Sequence, residues 1–326
     1  MGPFERLTYL VLEPNSSCNL RCASCNRQRL VEQGLRPPKN LSVGELEDIL
    51  GQLSGCPIDT VKLQYLSEPM MHPQLDQLAQ RIRRQWPAVH MISATNLQFD
   101  VMKSPLVATL EWLDMLYLSV DGTGKIYEQA REGARYQRLL QSLEKLKEVV
   151  PSSTRQKKLH INFTLTPANY LEVTRMYELA EKYGLASVRI NLAQNWNEDE
   201  LNELRFGPEL IEYLKPFAKD VKGVGGWDFK DCYWPHSGTV IDVYGDVRQC
   251  VINTSADSLG NVFKTPLREI FNQSRTLQVA RERLRKNLAP NGCKNCDYKY
   301  LSKTLQEIHQ GQIPNPARQS EATLGV

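Results

Sequence analysis

Three cysteines, Cys18, Cys22 and Cys25, stand within eight residues in the stretch CNLRCASC, with spacing C-x3-C-x2-C. Thiolates are soft ligands suited to zinc and to iron–sulfur clusters, and a tight loop can aim all three sulfurs at one point. No further cysteine or histidine stands beside them to complete a four-ligand zinc site; the nearest histidine in sequence is His72. On a four-iron cluster, three thiolates leave one iron open to an external ligand. The plainer alternatives are three buried structural thiols or an incomplete zinc site. A second set lies downstream: Cys232, Cys250 and the C-x2-C pair Cys293 and Cys296. Four cysteines make a closed site, and by spacing alone zinc or an iron–sulfur cluster both fit. Cys56 is left over, and its place in SGCPIDTV reads as a small buried core residue.

The elements that carry these residues can be read from periodicity. Six strand-like runs, at residues 7–14, 60–66, 89–95, 113–122, 158–167 and 186–194, are separated mostly by helical patterns. Helices are expected at 42–53 behind a Ser cap, at 73–86, at 126–150 with an interruption near Gly133, and at 170–184 ending on Gly. Alternating strands and helices with short loops predict a parallel sheet, either a partial barrel or a doubly wound sheet, with ligands at the C-terminal strand ends. The cysteine loop follows strand one, SEP follows strand two, TN follows strand three and SVDG closes strand four. After about residue 222 the pattern changes. A Gly-rich stretch precedes TVIDVYGDVRQC, which alternates around Gly245-Asp246 as a hairpin does, and then a helix over 266–287. The expected division is 1–222, 223–310 and a tail, 311–326.

Composition narrows the class. The 326 residues carry a net charge of +3 and are 41% hydrophobic and 24% charged. This is ordinary for a globular protein and offers no basic field for nucleic acid. No secretory segment and no apolar run long enough to span a bilayer are seen, so no membrane partner and a cytoplasmic location are expected. In that compartment eight cysteines read as metal ligands or reactive thiols rather than disulfides.

C-x3-C-x2-C directly after the first strand of a (β/α)6 chain resembles the radical S-adenosylmethionine (SAM) superfamily, over roughly residues 7–194. The resemblance implies a partial (β/α)6 TIM-like barrel. It also implies a [4Fe-4S] cluster on Cys18, Cys22 and Cys25 whose open iron binds SAM, with reductive cleavage to a 5′-deoxyadenosyl radical that abstracts a substrate hydrogen. LSEP (Leu66–Pro69) resembles the family's Gly-Gly-Glu-Pro stretch: Glu68 and Pro69 match, whereas Leu66 and Ser67 replace the glycines. SATN and SVDG resemble the segments that contact the ribose and methionine parts of SAM. Ser67, Glu68, Asn96, Ser119 and Asp121 are the implied cofactor-binding residues. Ser24 stands where the family often has an aromatic residue.

The order hairpin, helix, C-x2-C resembles the twitch domain, the shortened relative of the SPASM domain, over roughly residues 228–300. It implies an α+β unit with one auxiliary [4Fe-4S] cluster on Cys232, Cys250, Cys293 and Cys296, and no second one, because no cysteine follows Cys296.

A fully ligated auxiliary cluster and no spare cysteine at the active face favour an oxidoreductase. The expectation is dehydrogenation of a small natural-product intermediate such as an aminocyclitol or sugar, with the auxiliary cluster accepting an electron. Epimerisation and peptide crosslinking are the alternatives. A non-enzymatic iron–sulfur or zinc-binding interaction protein is the reading outside that class. Arg189 and Asn191 alternate with apolar Val188 and Ile190, and with Tyr65 and Gln64 are candidates for substrate contact; Arg189 and Tyr65 are the catalytic candidates. Because the cysteine loop begins at residue 18, a leader-binding module is not expected, which favours a small molecule or a short peptide as substrate. An electron donor such as flavodoxin or ferredoxin is the expected partner.

Overall fold

The computed structural model describes residues 2–22, 25–193, 206–222, 232–252, 258–290, 293, 304 and 307–309. The chain runs β1 (Tyr9–Leu12), α1 (Arg27–Glu32), α2 (Val43–Gln52), β2 (Thr60–Lys62), α3 (Leu75–Gln85), β3 (His90–Thr95), α4 (Leu106–Thr109) and β4 (Met115–Ser119). It continues through α5 (Gly124–Ala130), α6 (Tyr136–Val149), α7 (Ser152–Lys158), β5 (Leu159–Leu165), α8 (Val173–Tyr183), β6 (Ser187–Leu192), α9 (Pro208–Leu214) and β7 (Val221–Lys222). α10 (Trp234–Ser237), β8 (Gly238–Ile241), β9 (Val247–Arg248), α11 (Leu267–Gln273) and α12 (Arg275–Arg285) complete it.

Among the described residues the strands form one sheet in the order β7-β6-β5-β4-β3-β2-β1-β8-β9. β1 to β7 pair in sequence order and in parallel. There is no reversal of strand order, so the sheet winds one way as a barrel does and is not doubly wound. β1 pairs with β8 rather than with β7, which leaves the barrel partial. β8 and β9 pair antiparallel through the turn at Gly245, whose φ of 86° is the left-handed conformation a glycine tolerates.

Alternation sets the two faces. In β5, Leu159, Ile161, Phe163 and Leu165 are fully buried toward the helices, whereas His160, Asn162 and Thr164 are half-buried on the inner face. β6 repeats this with Val188, Ile190 and Leu192 outside and Arg189 and Asn191 inside. α2 is fixed by a capping box between Ser42 and Glu45 and buries Leu46, Ile49 and Leu50. α8 ends on Gly184 in the left-handed conformation.

Some expected boundaries move. β2 stops at Lys62 rather than Leu66, because the Leu66 amide turns away to donate to Glu13 Oε1 at 2.9 Å. The helix at 126–150 is interrupted at Gly133, φ 91°, as expected, giving α5 and α6, with the first starting two residues earlier, at Gly124. The expected helix at 266–287 is also two: Ser274 is extended, and its hydroxyl accepts from the Leu277 amide to start α12. α1, α4, α7, α9, α10 and β7 were not anticipated. The Gly-rich stretch at 223–231, where the chain was divided, and the tail at 311–326 lie outside the described residues.

No helix among the described residues is long and apolar enough to cross a membrane. Cys56 is buried in the core with its thiol 3.6 Å from the Phe4 carbonyl, as its sequence context suggested.

Candidate active site

The loops that follow β1, β2, β3 and β4 converge on one cavity of about 360 Å³. Cys18, Cys22 and Cys25 line it and are the cysteines among its lining residues. Hydrogen bonds from every neighbouring loop hold the cysteine loop. Asn15 Nδ2 donates to the Glu68 carbonyl at 3.0 Å, Asn19 Nδ2 to the Gln98 carbonyl at 2.8 Å, and the Arg21 amide to the Glu132 carbonyl at 2.9 Å. Arg27, at the start of α1, ties back to the Ser16 carbonyl.

Burial pushes the Cys22 thiol up to about 11, opposed mainly by the Arg131 charge, and raises Cys18 as well. Without a metal these thiols stay protonated, so a bound metal must displace their protons. Among the described residues no three His, Cys, Asp or Glu side chains close in tightly enough to hold a single ion. The thiols instead rim a cavity wide enough for a multi-iron body, and the donor set suits iron–sulfur ligation.

Ser67, Glu68, Asn96, Ser119 and Asp121 all line this cavity. Their hydrogen bonding separates them. Glu68 is buried, and its two carboxylate oxygens accept from the Asn96 amide at 2.7 Å and the Met70 amide at 3.1 Å. Burial raises its pKa to about 7 against those hydrogen bonds. Asn96 is thereby aimed at the cysteine loop: its Nδ2 donates to Asn19 Oδ1 at 2.8 Å and faces Cys18 Sγ at 3.9 Å. Asp121 is spent on Arg131, 2.8 Å away, and on the Thr164 amide at 2.7 Å. Ser67 lines the cavity, and its hydroxyl is buried with no hydrogen-bond partner among the described residues, an unused acceptor and donor.

Arg189, Asn191, Tyr65 and Gln64 also line the cavity, as the alternation in β6 suggested for the first pair. Arg189 donates to the Tyr117 hydroxyl at 2.9 Å and to Asn191 Oδ1 at 3.0 Å, and Asn191 donates to Asn162 Oδ1 at 2.6 Å. Lys62, Tyr117, Asn162, Thr164 and Arg131 complete this wall and were missed in the sequence. Polar residues at every second position of LHINFTL marked the inner face of β5, and Lys62 stands two before Gln64; Arg131, in a loop after α5, left no periodic trace.

Of the second cysteine set, Cys232 and Cys250 pack against one small cluster of Tyr9, Val11, Trp234 and Val240. Gln249 Nε2 faces Cys293 Sγ at 3.9 Å, which brings that thiol to the same hairpin end. Cys296 and Ser24 lie outside the described residues. Tyr65 and Val251 belong to both regions: they pack beside Cys232 and Cys250 and also line the cavity. The Tyr65 hydroxyl is buried with no partner among the described residues, and burial raises its pKa above that of a free phenol, so it stays a neutral donor.

Residues 232–297 match the SPASM family, an iron–sulfur cluster-binding domain. The structure of Streptococcus suis SuiB bound to S-adenosylmethionine superposes with a TM-score of 0.65 at 16% identity, covering 89% of this chain and 74% of that one. The structure of anSMEcpe with bound AdoMet gives 0.64 at 16% identity, covering 93% and 96%. BtrN in complex with AdoMet and 2-DOIA gives 0.52 at 13% identity, covering 86% and 88%. The chain shares the fold of these three structures, and its residues 232–297 match the SPASM domain. The partial barrel supplies the cavity and the three-cysteine loop, and the segment matched to the SPASM domain supplies the hairpin with Cys250. No curated protein matches the chain by sequence.

Proposed function

We propose that the chain is a radical SAM oxidoreductase that removes a hydrogen atom and then an electron from one substrate carbon. A [4Fe-4S] cluster on Cys18, Cys22 and Cys25 with SAM at its open iron would supply a 5′-deoxyadenosyl radical. The observation that carries the reading is the shared cavity: the three-cysteine loop forms one wall, and Tyr65 and Val251, packed beside Cys232 and Cys250, form another. A substrate held there lies between the hydrogen-abstracting side and an auxiliary cluster able to take an electron.

The chain's own groups divide the work. Ser67, with its unused hydroxyl, and Ser119 line the cavity and would meet SAM, and Asn96 holds the loop beside Cys18. Glu68 acts through Asn96, and Asp121 through Arg131, whose charge favours the Cys22 thiolate. Arg189 is a fixed cation and Tyr65 a neutral donor, so both position substrate rather than accept its proton. For a secondary alcohol the balance is one hydrogen atom to the radical, one electron to the auxiliary cluster and one proton to solvent, leaving a carbonyl. Cys56 is buried in the core and cannot return a hydrogen atom, which supports oxidation over epimerisation.

The test is anaerobic reconstitution. Two four-iron clusters correspond to about eight irons per chain, with reductant-dependent 5′-deoxyadenosine formation. A zinc-only protein, or no SAM cleavage, would sink the enzyme reading. Solvent deuterium at the reacting carbon without net oxidation would favour epimerisation.

A further inference from the structure

The cavity has two layers. Cysteines, Ser67, Glu68, Asn96 and Asp121 come from loops beyond the strand ends, whereas Lys62, Tyr117, Asn162 and Arg189 sit on the strands themselves, deeper in the barrel. Charge in the two layers is unequal. Of the cationic side chains lining the cavity, Arg21 pairs with Glu132, Arg27 bonds the Ser16 carbonyl and Arg131 pairs with Asp121. The two lining carboxylates, Glu68 and Asp121, are both taken up in the loop layer.

Lys62 and Arg189 remain. Among the described residues, Arg189 bonds only the neutral Tyr117 and Asn191 side chains, and Lys62 has neither a hydrogen bond nor an ion pair. They come from β2 and β6, with three strands between them in the sheet, and the curl of the barrel brings their charges within range of each other. Burial, followed by the Arg189 charge, lowers the Lys62 ammonium to about 8. Two like charges in a half-buried chamber, without a counter-ion among the described residues, are unfavourable unless an occupant supplies one.

We propose that Lys62 and Arg189 form the floor of the substrate chamber and bind an anionic oxyacid group, a carboxylate or phosphate, carried by the substrate. The inference rests on the function proposed above and narrows its substrate class. The Arg189 guanidinium keeps donors beyond those given to Tyr117 and Asn191, and Lys62 offers three. Asn162 and Asn191 flank the pair as neutral partners for the remaining oxygens or hydroxyls. A simple aminocyclitol would bring a third cation to this floor and is disfavoured.

The experiment uses the reconstituted protein saturated with SAM, so that the cofactor's own carboxylate is already bound. Inorganic phosphate, malonate and cyclohexylammonium are titrated in by calorimetry at neutral pH. The expected result is that one or both anions bind and the cation does not; the tighter anion identifies the oxyacid. Lys62→Met and Arg189→Met should each weaken that anion at least about tenfold, the size of one charge-assisted hydrogen bond. Lys62→Arg, which keeps the charge, should retain it. Iron content and a thermal melt check that each variant is folded, and Lys62→Gln is the second neutral variant should Lys62→Met fail to fold. No anion binding to the wild type, equal binding by the neutral variants, or preference for the cation overturns the proposal. Wild-type protein that binds the anion through Lys62 and Arg189 but never cleaves SAM overturns the function proposed above and leaves the anion floor standing.

Discussion

Glu13 is the residue through which both cysteine sites depend on one buried charge. It is fully buried just after β1. Oε1 contacts Arg36 Nη2 at 2.6 Å and accepts from the Leu66 amide at 2.9 Å, and Oε2 accepts from the Val243 amide at 3.4 Å. It thereby joins the segment leading to the cysteine loop, the loop that contains Glu68 and the turn of the SPASM hairpin. Glu13→Gln leaves the Arg36 guanidinium, 7% exposed, without its direct ion-pair partner and with only the more distant Asp242 charge, and turns an amide NH2 toward at least one donor. Breaking one side of a buried pair costs about 3–5 kcal/mol, a large part of the 5–15 kcal/mol that holds a typical domain together. With a urea slope of about 3 kcal/mol/M, the unfolding midpoint of the cluster-free protein should fall by about 1–1.7 M. Iron loading should fall at both sites. Glu13→Gln with Arg36→Met removes the stranded charge and should recover most of the lost stability, because an apolar pair of similar volume often replaces an ion pair at little cost. A Glu13→Gln variant within about 0.5 kcal/mol of wild type, the range of ordinary surface substitutions, would refute the reasoning. So would a double variant whose loss equals the sum of the singles.

Replacing Cys18, Cys22 and Cys25 together with Ala should lower iron from about eight to about four per chain and stop 5′-deoxyadenosine formation; loss of all iron would show that the two sites are not independent. Cys250→Ala should remove the other four or so irons, measured by iron and sulfide analysis. Gly245→Ala places a Cβ against the Phe263 ring at a positive φ. It should cost more than about 1 kcal/mol, read as a lower melting temperature. Lys62 is cationic below its pKa of about 8 and neutral above it. Anion affinity should therefore hold at neutral pH and fall as pH rises through 8, a profile that Lys62→Arg should flatten; calorimetry across that range reads it.

What was legible in the sequence, and what was not, follows the physics of each layer. That Cys18, Cys22 and Cys25 share one cavity could be read because close spacing within one loop keeps them together, and the parallel barrel because helical and strand periods alternate along the chain. Element ends were less legible, since β2 ends where Leu66 turns to Glu13 and α11 ends where Ser274 caps the next helix. Those events are set by contacts distant in sequence or by a single side chain. Glu68 and Asp121 were placed correctly in the cavity, but which oxygens remain free for a ligand depends on Asn96, Met70, Thr164 and Arg131. No local pattern encodes those partners.

Lys62 shows the limit most clearly and also why the floor is informative. A lysine between Val61 and Leu63 reads as the solvent side of a strand, because one face of a strand is ordinarily wet. In a barrel that face turns inward, and the sense of the charge there becomes a property of the chamber rather than of the strand. Cofactor groups come from loops, where chemistry constrains residue identity. Substrate groups come from strand interiors, where only the inward alternation is constrained and the identities are free to match the substrate. For that reason a floor holding two cations and, among the described residues, no free carboxylate says more about what this chain would bind than the cysteine motifs can, since under the proposed function the motifs serve only the radical chemistry that precedes substrate choice.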